Sequence, residues 1–113
     1  MSDLITTVYL NDGHLQMLGF GAHGPAQLRA AASFTLAAAG HPHPDAVTAA
    51  LETVFAQLNI DHPDQPWALK YRLAGHRSLS VGDVVVIGET AWACAPSGWD
   101  LLTADQLHDA LYH

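Results

Sequence analysis

The residues of this chain with the widest chemical reach are its eight histidines. His41 and His43 flank a proline, and Asp45 follows two positions on. On an extended chain a His-x-His pair puts both imidazoles on one side, as a chelate requires. A specific metal site needs three or four convergent ligands, and no Cys pair or Glu-x-x-His spacing completes this one. Pro42 and Pro44 instead suit a stiff, solvated connector. His62 and His76 join the set only if folding brings them there. No metal and no cofactor are therefore expected, and a small metal-dependent enzyme built on the histidines is the alternative.

Nucleophilic chemistry has less to work with. Cys94 lies in an apolar run, where a buried, inert thiol is the default. No serine stands in a Gly-x-Ser-x-Gly elbow. Gly19-Phe20-Gly21-Ala22-His23-Gly24 repeats the letters of a phosphate-binding fingerprint, but the second parallel strand that the motif needs is missing at the right distance. No catalytic residue is expected.

The polar groups suit contact better. Asp61, His62, Asp64 and Trp67 lie in a proline-bounded loop, with Trp67 as the tryptophan expected to be exposed. Arg77, Ser78 and Asp83 form a second polar group. Interfaces favour Arg and Trp as anchors, so these seven residues make a candidate partner-binding surface. The competing structural account makes Leu79 and Val81 core anchors at period two, with Asp83 bonding a nearby backbone amide.

The elements that position these residues follow from local signals. Ile5 to Leu10 and His14 to Phe20 alternate around Asp12-Gly13, a favoured two-residue turn, and read as a hairpin. Ala26 to Ala39 is rich in Ala and Leu and ends before Gly40, which reads as a helix. Pro44 opens a second helix, with Val47, Leu51, Val54, Phe55 and Leu58 as its apolar stripe. Asp61 to Gly75 has no clean period and reads as a loop with an extended piece over Ala68 to Leu73. Val84 to Ile87, Gly88-Glu89 and Thr90 to Cys94 form a second hairpin, and Trp99 to Leu102 adds a short strand. Thr103 and Gln106 have the spacing of a capping box at the start of a last helix. Trp92 is expected in the core, and Trp99 either packs the end of the sheet or seats the last helix. The fold class is α+β, residues 1–113 in a single domain. Two hairpins make an antiparallel sheet, and three helices pack on one face.

Composition limits the partners. The chain has 113 residues, half of them apolar, enough for a core without disulfides. Four Lys and Arg against eleven Asp and Glu give a formal charge of −7. Nucleic-acid affinity comes mostly from cations on phosphates, so no direct nucleic-acid binding is expected, and an anionic membrane would repel the chain. No apolar run reaches a bilayer-spanning length. The first ten residues lack a basic n-region, and the one cysteine cannot form an internal disulfide, so a cytoplasmic location is expected.

One stretch carries a family resemblance. It reads Leu58-Asn59-Ile60-Asp61-His62-Pro63-Asp64, then, after an insertion, Gly75-His76-Arg77-Ser78-Leu79-Ser80-Val81-Gly82-Asp83-Val84-Val85-Val86, with Trp92 and Ser97-Gly98-Trp99 downstream. This resembles the YodL-like domain, in which a phrase of the type FN-x-DHP, G-x-SLSV-x-DVV and GW recurs. The departures are Leu58 where the family often has Phe, and the insertion between Asp64 and Gly75. The resemblance implies a small α+β module of phages, plasmids and conjugative elements, with no catalytic residues to carry over. It implies a non-enzymatic protein that binds a host protein, with inhibition of a host defence system (anti-CRISPR or anti-restriction type) as one candidate role. A homodimeric assembly module, with the Ala-rich segment as its seam, is a further alternative.

Overall fold

The structure, a computed structural model, describes residues 3–12, 26–37, 43–60, 63–96 and 98–112. Thr6, Val8 and Leu10 alternate along the first strand, β1 (Asp3–Asn11), and are fully buried, while Ile5 points the other way and is exposed. Along its whole length β1 pairs antiparallel with β2 (Leu28–Ala37), Asp3 lying opposite Ala37 and Asn11 opposite Leu28. From Thr6 to Tyr9 the other edge of β1 pairs antiparallel with β3 (Val84–Ile87).

This corrects the reading of Ala26 to Ala39 as a helix. Ala exceeds ordinary residues in helix propensity by only about 0.7 kcal/mol at most, and a full-length strand partner overrides such a preference. Phe34 and Leu36 alternate toward the core side, opposite Thr6 and Leu4. The other half of the expected first hairpin, His14 to Phe20, lies outside the described residues.

A bulge explains why the alternation in β2 was hard to see. Val8 lies opposite Ala32 and Tyr9 opposite Ala30, so Ala31 is the extra residue. One inserted residue reverses side-chain parity. Leu28 therefore packs on the opposite side of the sheet from Phe34 and Leu36.

The second hairpin forms as expected. β3 turns at Gly88-Glu89 into β4 (Thr90–Cys94), with Gly88 at a φ of 58°. β4 pairs antiparallel with β5 (Trp99–Leu102), which gives a five-stranded sheet in the order β2-β1-β3-β4-β5.

Among the described residues the helices divide between the two faces of the sheet, which corrects the expectation that all three share one. α1 (His43–Asn59) buries Val47, Leu51, Val54 and Leu58, four of its five expected stripe residues. Phe55, the fifth, is at the margin, edge-on to Trp99. α2 (Pro66–Leu73) buries Ala68 and Tyr71 in the same cluster, together with Val85 and Ile87. α3 (Ala104–Leu111) brings Ala110, Leu107 and Leu111 to Val84, Ala91 and Ala93 on the other face. The alternation of β3 separates the two clusters, and both faces of a central strand are covered.

α2 corrects the reading of Ala68 to Leu73 as extended. Pro66 suits the first helical turn, and Ala68 and Tyr71 fall three apart on one buried side. Leu69 and Leu73 lie on the outer side, so apolar residues on both sides hid the helical period. α3 starts as expected: the Thr103 side chain accepts from the Gln106 amide, and the Gln106 side chain accepts from the Thr103 amide. No helix among the described residues is long and apolar enough to cross a membrane.

Candidate functional site

Arg77 and Asp83, both expected at a contact surface, form the polar hinge of the molecule. Asp83 precedes β3 and has no solvent exposure. Its Oδ1 accepts from the Asn11 amide at 2.8 Å and from Arg77 Nη2 at 2.7 Å. Its Oδ2 accepts from Arg77 Nη1 at 2.6 Å and from the Ser80 amide at 2.7 Å. The Arg77 guanidinium also donates to the Asn11 carbonyl at 3.1 Å. The Asn11 side chain in turn donates to the Gly82 carbonyl at 2.9 Å and accepts from the Gln27 amide at 3.1 Å. One buried carboxylate thus ties the end of β1 to the segment entering β3.

This corrects the assignment of Asp83 to a contact surface. A carboxylate with two donors on Oδ1, three on Oδ2 (the third the Ser80 hydroxyl at 3.4 Å) and no exposure has no lone pair ready for a partner or a substrate. The bond from the Ser80 amide is the local one the sequence suggested, while the one from the Asn11 amide comes from far along the chain. Arg77 is 40% exposed at its side chain, so it presents an edge to solvent while serving Asp83. Its hydrogen bond to Asp83 raises its pKa above the usual value, against the lowering effect of burial.

The other contact candidates are scattered around α2. Asp64 is exposed and exchanges two hydrogen bonds with Gln57 on α1, at 2.7 and 3.2 Å. Ser78 is exposed, and its carbonyl accepts from Arg77. Trp67 is half-buried and not exposed as expected: its ring stacks on Phe34 with centroids 4.2 Å apart and an 11° tilt. Asp61 and His62 lie outside the described residues. Trp92, half-buried, packs on the core with its indole N–H donating to the Thr90 hydroxyl.

The sequence reading missed two features. Leu69 and Leu73, 46% and 77% exposed, lie one turn apart on the outer side of α2. Asn59, at the end of α1, clamps Leu79: its side chain donates to the Leu79 carbonyl at 3.0 Å and accepts from the Leu79 amide at 2.7 Å. A lone Asn before a proline-bounded loop gives no local hint of a partner twenty residues away. Leu69 and Leu73 were visible as an i, i+4 pair, but only once α2 is recognised as a helix.

Cys94 and Tyr71, two groups with nucleophilic or acid–base potential, are buried. Burial pushes the Cys94 thiol pKa up, and the nearby Asp83 charge adds to the shift, so the thiol stays protonated. Burial, with a smaller contribution from Asp83, pushes Tyr71 up to about 12, and its hydroxyl donates to the Arg77 carbonyl at 2.6 Å. His76 lies with its ring 4.9 Å from that of Tyr71. His41 is outside the described residues, and His43 opens α1. Among the described residues no three His, Cys, Asp or Glu side chains gather as metal ligands, and every buried side-chain nitrogen and oxygen has a partner. The residues therefore define a small α+β module whose buried polar groups are bonded within the fold and which exposes Leu69 and Leu73 on the outer side of α2.

No family model matches the chain, and neither does any curated protein or solved structure.

Proposed function

We propose that this chain is a non-enzymatic, cytoplasmic accessory module of the kind carried by phages and other mobile elements, and that it works by binding a host protein. The resemblance to YodL-like domains supports that origin. Inhibition of a host defence system, of the anti-CRISPR or anti-restriction type, is its most concrete form.

One observation carries the binding reading. Leu69 and Leu73 form an exposed apolar pair on α2, beside the cations Lys70 and Arg72 in sequence, with the exposed Asp64 before the helix and the exposed Arg77 and Ser78 after it. Exposed leucines one turn apart with a polar rim are the usual make-up of a helix-face contact. Arg77 contributes its exposed edge, and Asp83 acts only through Arg77. Recognition through this face needs no cofactor and no nucleic acid.

The test uses wild-type protein and two variants on a resin, challenged with host lysate. Leu69→Asp with Leu73→Asp is expected to release the captured partner, whereas Leu101→Asp, at an exposed leucine on β5, is expected to keep it. Equal capture by all three proteins would remove the α2 face from the account. Arg77→Glu is unsuitable here, because it would strip Asp83 of its counter-charge and unsettle the fold.

A second reading has an observation of its own. Among the described residues β2 is an edge strand ten residues long, and exposed edges template further strand pairing. A homodimer through β2 would keep the Ala-rich segment as the seam, now as a strand. Light scattering of the pure protein separates the two: a stable dimer favours assembly and a monomer favours the host partner.

A further inference from the structure

Between β2 and α2 lies a groove of about 460 Å³. Its walls are held in place. The Phe34 and Trp67 rings are stacked on each other, and the Tyr71 ring is fixed by the bond from its hydroxyl to the Arg77 carbonyl. The bulge at Ala31 and the small residue beside it, Ala32, leave the space open on the β2 side. Sites for small molecules occupy roughly 300–1,000 Å³ and combine mostly apolar walls with a few polar groups. This groove has that size and that make-up.

Its charge is the reverse of the molecule's. The chain carries −7 overall, yet three of its four Lys and Arg residues fall between positions 70 and 77. Arg77 is committed to Asp83 and Arg72 donates to the Ile60 carbonyl. Lys70 lines the groove and makes no ion pair among the described residues, and His76 lines it beside Tyr71. No Asp or Glu is among the described lining residues.

The geometry points to this groove as a binding site for a small organic anion with a flat, apolar body, such as an aromatic carboxylate. The apolar body lies against Phe34, Trp67 and Tyr71, and the anionic end meets Lys70 and His76. This site shares Lys70 with the α2 contact face but takes its apolar walls from Phe34, Trp67 and Tyr71, and it does not depend on the host-protein reading.

The probe is 2-naphthoate, with 2-naphthylmethanol as its neutral counterpart, titrated into the full chain and followed by NMR. The expected result is saturable shifts of the Trp67 indole and of the Lys70 and His76 resonances. The anion should bind about fivefold more tightly than the alcohol, the size of a partly exposed charge pair. Lys70→Gln should remove that preference while leaving the alcohol's affinity unchanged. Ala74→Phe, at an exposed position bordering the groove, should weaken both probes. Leu69→Asp with Leu73→Asp should leave probe binding intact, so failure here and failure of the host-protein reading are told apart. Equal affinity for the two probes, shifts confined to other residues, or no saturable shift would overturn the proposal. So would tighter binding at the same resonances by a short acidic peptide, or concentration-dependent shifts without probe, which would put a peptide or a second copy in the groove.

Discussion

Asp83 illustrates how one side chain can serve a fold and be mistaken for part of a surface. It has no exposure, and removing its cation leaves a buried charge with only the Asn11 and Ser80 amides and the more distant Ser80 hydroxyl as donors. Breaking one partner of a buried pair costs about 3–5 kcal/mol, and the partial exposure of Arg77 puts Arg77→Ala near the lower figure. Urea unfolding is expected to show that loss, and Asp83→Ala with Arg77→Ala together should cost less than the two singly, because each removes the same interaction. Tyr71 makes a pH prediction with a definite sign. Its pKa is about 12 in the folded chain against 10.0 for the ordinary group, so the folded state holds a proton that the unfolded state releases. Stability from this group is full below pH 10 and falls as pH rises from 10 toward 12. The urea midpoint should drop over that window in the wild type and drop less in Tyr71→Phe. Cys94, buried and held protonated, should react with iodoacetamide far more slowly in native buffer than in urea, as read by mass spectrometry.

At the scale of elements, what was legible depended on whether the signal was local. The turn at Gly88-Glu89, the strand at Trp99 to Leu102 and the capping box at Thr103 each declare themselves within a few residues, and each stands where it was expected. Thr103→Ala should cost about 1 kcal/mol by loss of the cap, measurable by thermal or urea unfolding. The stripe of α1 was equally plain, apart from Phe55. β2 was not, because alanine carries little strand signal and the bulge at Ala31 reverses the parity of its few large residues. Only the presence of β1 alongside makes that segment a strand. α2 failed for a different reason: its eight residues carry apolar groups on both sides, Ala68 and Tyr71 inward, Leu69 and Leu73 outward. The candidate site inherits these gaps. Asp64, Arg77 and Ser78 could be named from composition and motif, whereas the burial of Asp83, the stacking of Trp67 and the leucine pair of α2 depend on contacts between distant segments.

For the molecule as a whole, the buried polar groups hold segments together and the exposed charges are unevenly placed. Carboxylates are spread over the surface at Glu52, Glu89, Asp100, Asp105 and Asp109, while three of the four Lys and Arg residues fall on and just after α2. Long-range charge of this kind changes association rates and is screened by salt over about 10 Å at 0.1 M. Association driven by charge complementarity should slow as salt rises, with little change in dissociation. The most direct check on the central claim is hydrogen exchange of the chain with and without its captured host partner. Added protection is expected along Asp64 to Leu73 and at Arg77 and Ser78, with Trp99 to Leu102 unchanged. Protection confined to β5 or α3, with α2 exchanging as in the free chain, would contradict it.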